Sequence, residues 1–207
     1  MVQYLLFINK YAFLKPDVYI VCIYTGNDFL DASSILEAKE GILERPAGYL
    51  RSLRNCNLND GAISQIMNQI YYFKTFPKMK GKVVKYVLEL ILEIKTYCKK
   101  RNIDLIVAFL PSKADVEWES DAEALVKVKN CLKISAADLR VNRELTQELA
   151  RGARINNINF IDLYTFMKDG QEELYWKRDY HLSDQGHKLV AEKMYEQYRG
   201  YFVRDED

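Results

Sequence analysis

The chain has 207 residues, 49% of them hydrophobic, enough to build one core and within the usual size of a single domain. Its 30 Lys and Arg side chains stand against 29 Asp and Glu, and the net charge of +1 provides no global field to gather nucleic acid or an anionic membrane. Its longest apolar runs, Val18 to Tyr24 and Leu105 to Leu110, fall far short of the roughly 20 residues a membrane-spanning helix needs.

Met1 to Lys10 lacks the basic start and the small-residue cleavage site of a signal peptide. Leu5, Leu6, Ile8 and Phe13 give residues 3–14 a loosely helical pattern that stops before Lys15-Pro16. Val18 to Tyr24 is a continuous β-prone run of the kind covered on both faces, ended by Thr25-Gly26-Asn27-Asp28. About fifty residues then intervene, more than a minimal crossover requires, and they read as an insertion over about 31–80. Within it Ile63, Ile66, Met67, Ile70 and Phe73 follow helical spacing after Asn59-Asp60. Lys74, Lys78, Lys80, Lys82 and Lys85 follow with no acid between them. This segment reads as a surface helix and a solvated lysine linker in preference to a basic lid over an anionic substrate.

Residues 81–101 form a long helix with Val84, Val87, Leu88, Ile91, Ile94 and Cys98 on one side, closed by cations and a left-handed cap at Asn102. Leu105 to Leu110 is the next buried strand. A helix over about 137–154, a short strand over 159–163, and a closing helix over 184–199 capped by Ser183 complete a parallel α/β pattern. One domain over 1–204 with an acidic tail at 205–207 is expected. Cys22, Cys56, Cys98 and Cys131 are widely spread, with no zinc spacing, and read as buried thiols.

In parallel sheets ligands bind at the carboxyl ends of the strands, so the strand tails are where chemistry is sought. Asn27 can aim a side-chain amide into that crevice as an oxyanion donor, with Gly26 allowing the turn and Asp28 in support, although Gly-Asn-Asp is also ordinary turn composition. In Asp179-Tyr180-His181 the acid and the histidine are two apart. In an extended stretch they share a face, the carboxylate fixing the imidazole tautomer. The chain holds only 2 histidines, and His187 should pack inside the closing helix near Val190 and Met194, which leaves His181 as the candidate for a general base, although a loop histidine beside an acid is an equally ready reading. Ser112 is the only serine directly after a strand, but nothing around it suggests the sharp turn that exposes a nucleophile.

The runs Gln3 to Phe7, Lys15 to Val18, Tyr24 to Phe29 and Asp179 to His187, in that order, with a weaker match at Leu110 to Lys113, resemble the SGNH (GDSL-like) hydrolase family from Gln3 to about Ala191. The resemblance implies a flavodoxin-like three-layer α/β fold and acyl-ester hydrolysis or transfer without a metal or cofactor. It implies Asn27 as oxyanion asparagine, His181 as base and Asp179 as its orienting acid. The sequence departs from the family pattern in having Gly26 adjacent to Asn27 and in spacing Asp179 and His181 two apart. It also contains no G-D-S block, and only 26 residues precede Asn27, so the nucleophile and two strands are expected to be missing. That would leave an apolar strand with an open edge. Three readings follow: an ester hydrolase whose start lies upstream of Met1, an O-acyltransferase of the same fold acting on a glycan, and a non-catalytic fragment. The partner in the first two is a small-molecule or glycan acyl ester.

Overall fold

Residues 18–24 form the first strand, β1 (Val18–Tyr24), as their β-branched and aromatic run requires. In the computed structural model, which describes residues 2–56, 61–116, 122–168, 173–177 and 179–202, β1 pairs in parallel with β2 (Asp104–Leu110), and β2 with β3 (Asn159–Asp162). Among the described residues this is a three-stranded sheet in the order β1-β2-β3. Thus all three strand positions read from periodicity are found. Asn59, Asp60, the side chain of Ile63 and the acidic tail lie outside the described residues.

The helices are α1 (Val2–Lys10), α2 (Asp28–Glu40), α3 (Tyr49–Asn55), α4 (Gly61–Thr75), α5 (Met79–Lys99), α6 (Lys113–Val116), α7 (Ala122–Leu132), α8 (Val141–Ile155), α9 (Tyr164–Met167) and α10 (Asp184–Phe202). Side chains alternate across a strand, so the sheet feeds two cores. Val21, Ile23, Val107 and Phe109 join the larger one, with α1, α2, α4, α5 and α8. Ile106, Ala108 and Ile161 join the smaller, with Met167 of α9 and Tyr198 of α10. The result is a three-layer α/β arrangement. The amphipathic α5 buries Val84, Val87, Ile91, Ile94 and Cys98 against the sheet, and Asn102 takes the left-handed cap with φ 56°. Ser183 caps α10 through its Oγ, which accepts the Gly186 amide at 3.2 Å.

Three expectations need correction. The helix at 61–75 is not a surface helix: Ile66, Met67, Ile70 and Phe73 are at most 2% exposed, because α4 packs beneath the tail of β1. The lysines after it are not a free solvated run either. Lys74 donates to the Leu132 and Lys133 carbonyls, Lys80 pairs with Glu144 at 3.1 Å, and Lys82 with Glu40 at 2.6 Å. Nor are all four cysteines thiols, since Cys56 and Cys131 are brought to a Cα separation of 5.9 Å and joined in a disulfide. Cys22 and Cys98 remain free, and burial pushes each thiol up to about 11.

β1 lies at an edge. The Thr25 amide donates to the Leu110 carbonyl and the Asp104 amide to the Asp17 carbonyl, so odd-numbered residues of β1 turn their backbone toward β2 and even-numbered ones away from it. On the outer side Tyr4 of α1 donates its hydroxyl to the Cys22 carbonyl, and the Tyr24 amide donates to Asp28 Oδ2 at 2.9 Å. Ile20 of β1 remains 40% exposed, and Leu6, Phe7, Phe13 and Leu14 of the amino-terminal segment are exposed as well.

Candidate active site

The carboxyl ends of the strands gather most of the polar side chains that the sheet positions. At the end of β1, Asn27 stands immediately before α2, its carbonyl accepting the Asp31 amide at 2.9 Å. Its side-chain Nδ2 donates to Asp31 Oδ2 at 3.1 Å, which uses one of two amide hydrogens and leaves the other to be aimed elsewhere. Asp28, half-buried and accepting the Tyr24 amide, has its carboxyl pushed up to about 6 by burial. Gly26 makes a close approach to a ring: a Cβ there would lie 2.6 Å from Cζ and 2.7 Å from the hydroxyl of Tyr24, so the ring would have to move to admit one.

The loop leading to α10 carries the acid and the histidine. A short antiparallel bridge pairs Tyr175 with Leu182, and the Trp176 amide donates to the His181 carbonyl at 3.0 Å. The chain therefore folds back on itself, and Asp179 Oδ1 meets both the His181 amide at 3.1 Å and Nδ1 of its ring at 2.7 Å. Those two hydrogen bonds hold the Asp179 carboxyl below the ordinary carboxylate range. The ring is well exposed, and among the described residues its Nε2 has no partner. Gly186 fixes the base of the loop, since a Cβ there would run into the Leu174 carbonyl.

Aromatic rings connect the two tails. Tyr180 lies 4.4 Å from the His181 ring and 6.5 Å from the ring of Tyr24, centroid to centroid. Tyr24 also feels the charge of Asp179, although burial is the larger reason its hydroxyl is raised. The Asn27 turn and the Asp179-His181 pair thus flank one aromatic contact, while no hydrogen bond joins Asn27 to His181.

Ser112 is withdrawn from any such role. It is 1% exposed, and its amide and hydroxyl both go to Asp115 Oδ2, at 3.0 and 2.7 Å. Thr25 Oγ1 reaches the same oxygen at 3.1 Å, so Asp115, whose carboxyl burial raises, ties the tail of β1 to that of β2. His187 is also not where it was expected: it is exposed, because Val190, Met194 and Gly186 take the inward side of α10.

Several polar side chains here escape sequence reasoning. Buried Gln69 of α4 accepts the Leu30 amide at 2.9 Å and donates to the Thr25 carbonyl at 2.6 Å and to Asn142 Oδ1 at 2.7 Å. Buried Lys113 donates to the Trp176 carbonyl at 3.1 Å, anchoring the histidine loop. Arg143 grips Asp162 through both terminal nitrogens, at 3.1 and 2.9 Å, beneath the ring of Tyr164. Asp115 had one available signal, a Ser-x-x-Asp spacing directly after a strand. A glutamine on an apolar helical stripe has none. Among the described residues no three His, Cys, Asp or Glu side chains gather to hold a metal ion.

No family model matches the sequence, and no curated protein does. Two solved structures are similar to the chain. One is a candidate acylhydrolase of Bacteroides fragilis, 14% identical, with a TM-score of 0.41 and coverage of 95% of this chain and 97% of that one. The other is a GDSL-like lipase of Bacteroides thetaiotaomicron, 12% identical, with a TM-score of 0.38 and coverage of 91% and 97%. At this level of overlap no residue role passes from either protein to this chain.

Proposed function

We propose that residues 1–204 form one SGNH-type domain that hydrolyses acyl esters through an acyl-enzyme, with His181 as base, Asp179 as its positioning acid and Asn27 as an oxyanion donor. The observation that supports this most directly is the His181 ring itself. Its Nδ1 is fixed on Asp179 at 2.7 Å and its Nε2 is left open on an exposed loop beside the tail of β1. In the reaction Nε2 takes the proton of a serine hydroxyl as that oxygen bonds the ester carbonyl carbon. The carboxylate of Asp179 supports the imidazolium, and the proton then passes to the departing alcohol. The free amide hydrogen of Asn27 meets the carbonyl oxygen as charge gathers on it. Water repeats the sequence to release the acid.

Among the described residues no serine hydroxyl contacts His181, and Ser112 is taken up by Asp115. We place the serine on a segment outside the described residues, which could pair with β1 along the part of its outer side that Tyr4 and Asp28 do not occupy. A fluorophosphonate reagent tests this. The chain of 207 residues should remain unlabelled. The product of the full reading frame that contains it should be labelled and should hydrolyse p-nitrophenyl esters, with His181→Ala lowering turnover by about 100 to 10,000-fold. Labelling of Ser112 in the short chain, or full turnover by His181→Ala, defeats the proposal, and an in-frame stop directly before Met1 counts against the added segment.

A further inference from the structure

Helices α2, α3, α4 and α7 line an open cavity of about 460 Å³, inside the roughly 300 to 1,000 Å³ typical of small-molecule sites. Leu30, Leu53, Met67 and Leu132 supply its apolar wall. Tyr49 completes it and is held in place by stacking on Tyr71 with the ring centroids 4.9 Å apart. The disulfide closes one side, since Cys56 lines the cavity and is bonded to the residue before Leu132.

One cation sits among these walls. Arg54 Nε donates to the Leu50 carbonyl at 3.3 Å, laying the side chain back along α3. Among the described residues no carboxylate pairs with its guanidinium. Ser64 and Asn68 also reach the lining, so the wall is apolar in the main, with one cation that has no carboxylate partner among the described residues, and this pattern discriminates among ligands. A sugar or a nucleotide would find Ser64 and Asn68 as further polar side chains on the wall but would leave most of its hydroxyls and amides against leucine and methionine, each costing free energy when unpaired. A neutral hydrocarbon would leave Arg54 unused. An aliphatic chain with a single anionic end satisfies both features.

We propose that this cavity binds a medium-chain fatty carboxylate, with the alkyl chain among the leucines and the carboxylate on Arg54. Leu30 lies one helical turn along α2 from Asn27, so on the reading proposed above, which this extension alone depends on, the cavity also receives the acyl end of the ester. The binding itself does not require that reading.

Calorimetric titration of the full chain with octanoate, 1-octanol and octylammonium tests the assignment. Octanoate should bind saturably, 1-octanol more weakly and octylammonium least. Arg54→Gln should weaken octanoate about tenfold while leaving 1-octanol unchanged. Leu50→Trp, at an exposed position on the rim, should obstruct both without disturbing the fold, as the thermal midpoint would record. Absence of saturable octanoate binding, or binding unaltered in both variants, overturns the assignment. If octanoate binds but the full reading frame shows no ester hydrolysis, the cavity stands and the catalytic reading falls.

Discussion

Asp179 holds His181 twice, through the backbone amide at 3.1 Å and through ring Nδ1 at 2.7 Å, so the acid sets both where the loop runs and how the imidazole is turned. The neutral ring is thereby confined to the tautomer with hydrogen on Nδ1 and a lone pair on Nε2. Asp179→Asn keeps an oxygen that can accept both contacts, but it loses the charge that favours the imidazolium and adds an amide that can donate to the ring instead. Ring ¹⁵N shifts should move from a single Nδ1-H form in the wild type to a mixture of tautomers in the variant, with little change in unfolding midpoint. A wild-type spectrum already showing mixed tautomers would refute this geometry.

The same contact has a definite pH sense. Because Asp179 is lowered from an ordinary value of 3.8, its contribution to stability is present above that value and is lost as pH falls through the lower folded one. The carboxylate is solvent-exposed, so the effect is small. Acid titration by NMR should find the Asp179-His181 contact intact at pH 3.8, and its loss by pH 5 would contradict the hydrogen bonding described.

Gly26 and Tyr24 are packed so closely that a methyl group cannot be added without moving the ring. Tyr24 leans on Tyr180, and Tyr180 on His181. Gly26→Ala should therefore destabilise the fold by about 1 to 3 kcal/mol, the usual cost of overpacking, and should shift the Tyr180 and His181 resonances. Unchanged His181 resonances in a folded variant would show that the aromatic contact does not connect the two tails.

The strands were legible because buried parallel strands carry continuous apolar runs, and α5 because its stripe repeats over 21 residues. Asp179 and His181 were legible because a separation of two residues limits how far apart they can be. The position of α4 was not. Ile66, Met67, Ile70 and Phe73 form an apolar stripe whether a helix rides on the surface or enters the core. What decides is the long-range bonding of Gln69 to Thr25 and Asn142, 44 and 73 residues away. The Cys56-Cys131 bridge, spanning 75 residues, was hidden for the same reason. Ser112 was the easier case: its surroundings gave no sign of the sharp turn that exposes a nucleophile, and its hydroxyl goes to Asp115, which also holds Thr25.

Asp28 offers a second pH-dependent test with the opposite sense. Burial raises its carboxyl from 3.8 to about 6, so the folded state binds more protons than the unfolded chain between those values. Stability should therefore fall as pH rises through that window. Asp28→Asn keeps an oxygen to accept the Tyr24 amide but has no charge to bury. Urea midpoints of the two proteins should diverge above pH 6 in favour of the variant and converge below pH 4. A wild type more stable than the variant at pH 7 would mean that Asp28 is paired with a positive group in solution.

The disulfide carries the most direct consequence for stability. Cys56 ends α3 and Cys131 lies in the last turn of α7, so the bond fastens two helices that the chain separates by 75 residues. Closing a loop of that length removes much of the unfolded chain's freedom, and reduction should cost roughly 2 to 4 kcal/mol. Urea unfolding with and without a reductant should show that difference in the wild type and none in the Cys56→Ser/Cys131→Ser variant. Because Cys56 lines the cavity and its partner Cys131 precedes Leu132, which also lines it, reduction should also weaken octanoate binding. A thiol count on the denatured, unreduced protein is decisive: 2 of the 4 cysteines, Cys22 and Cys98, should react. Four reactive thiols would show that α3 and α7 are held together by packing alone.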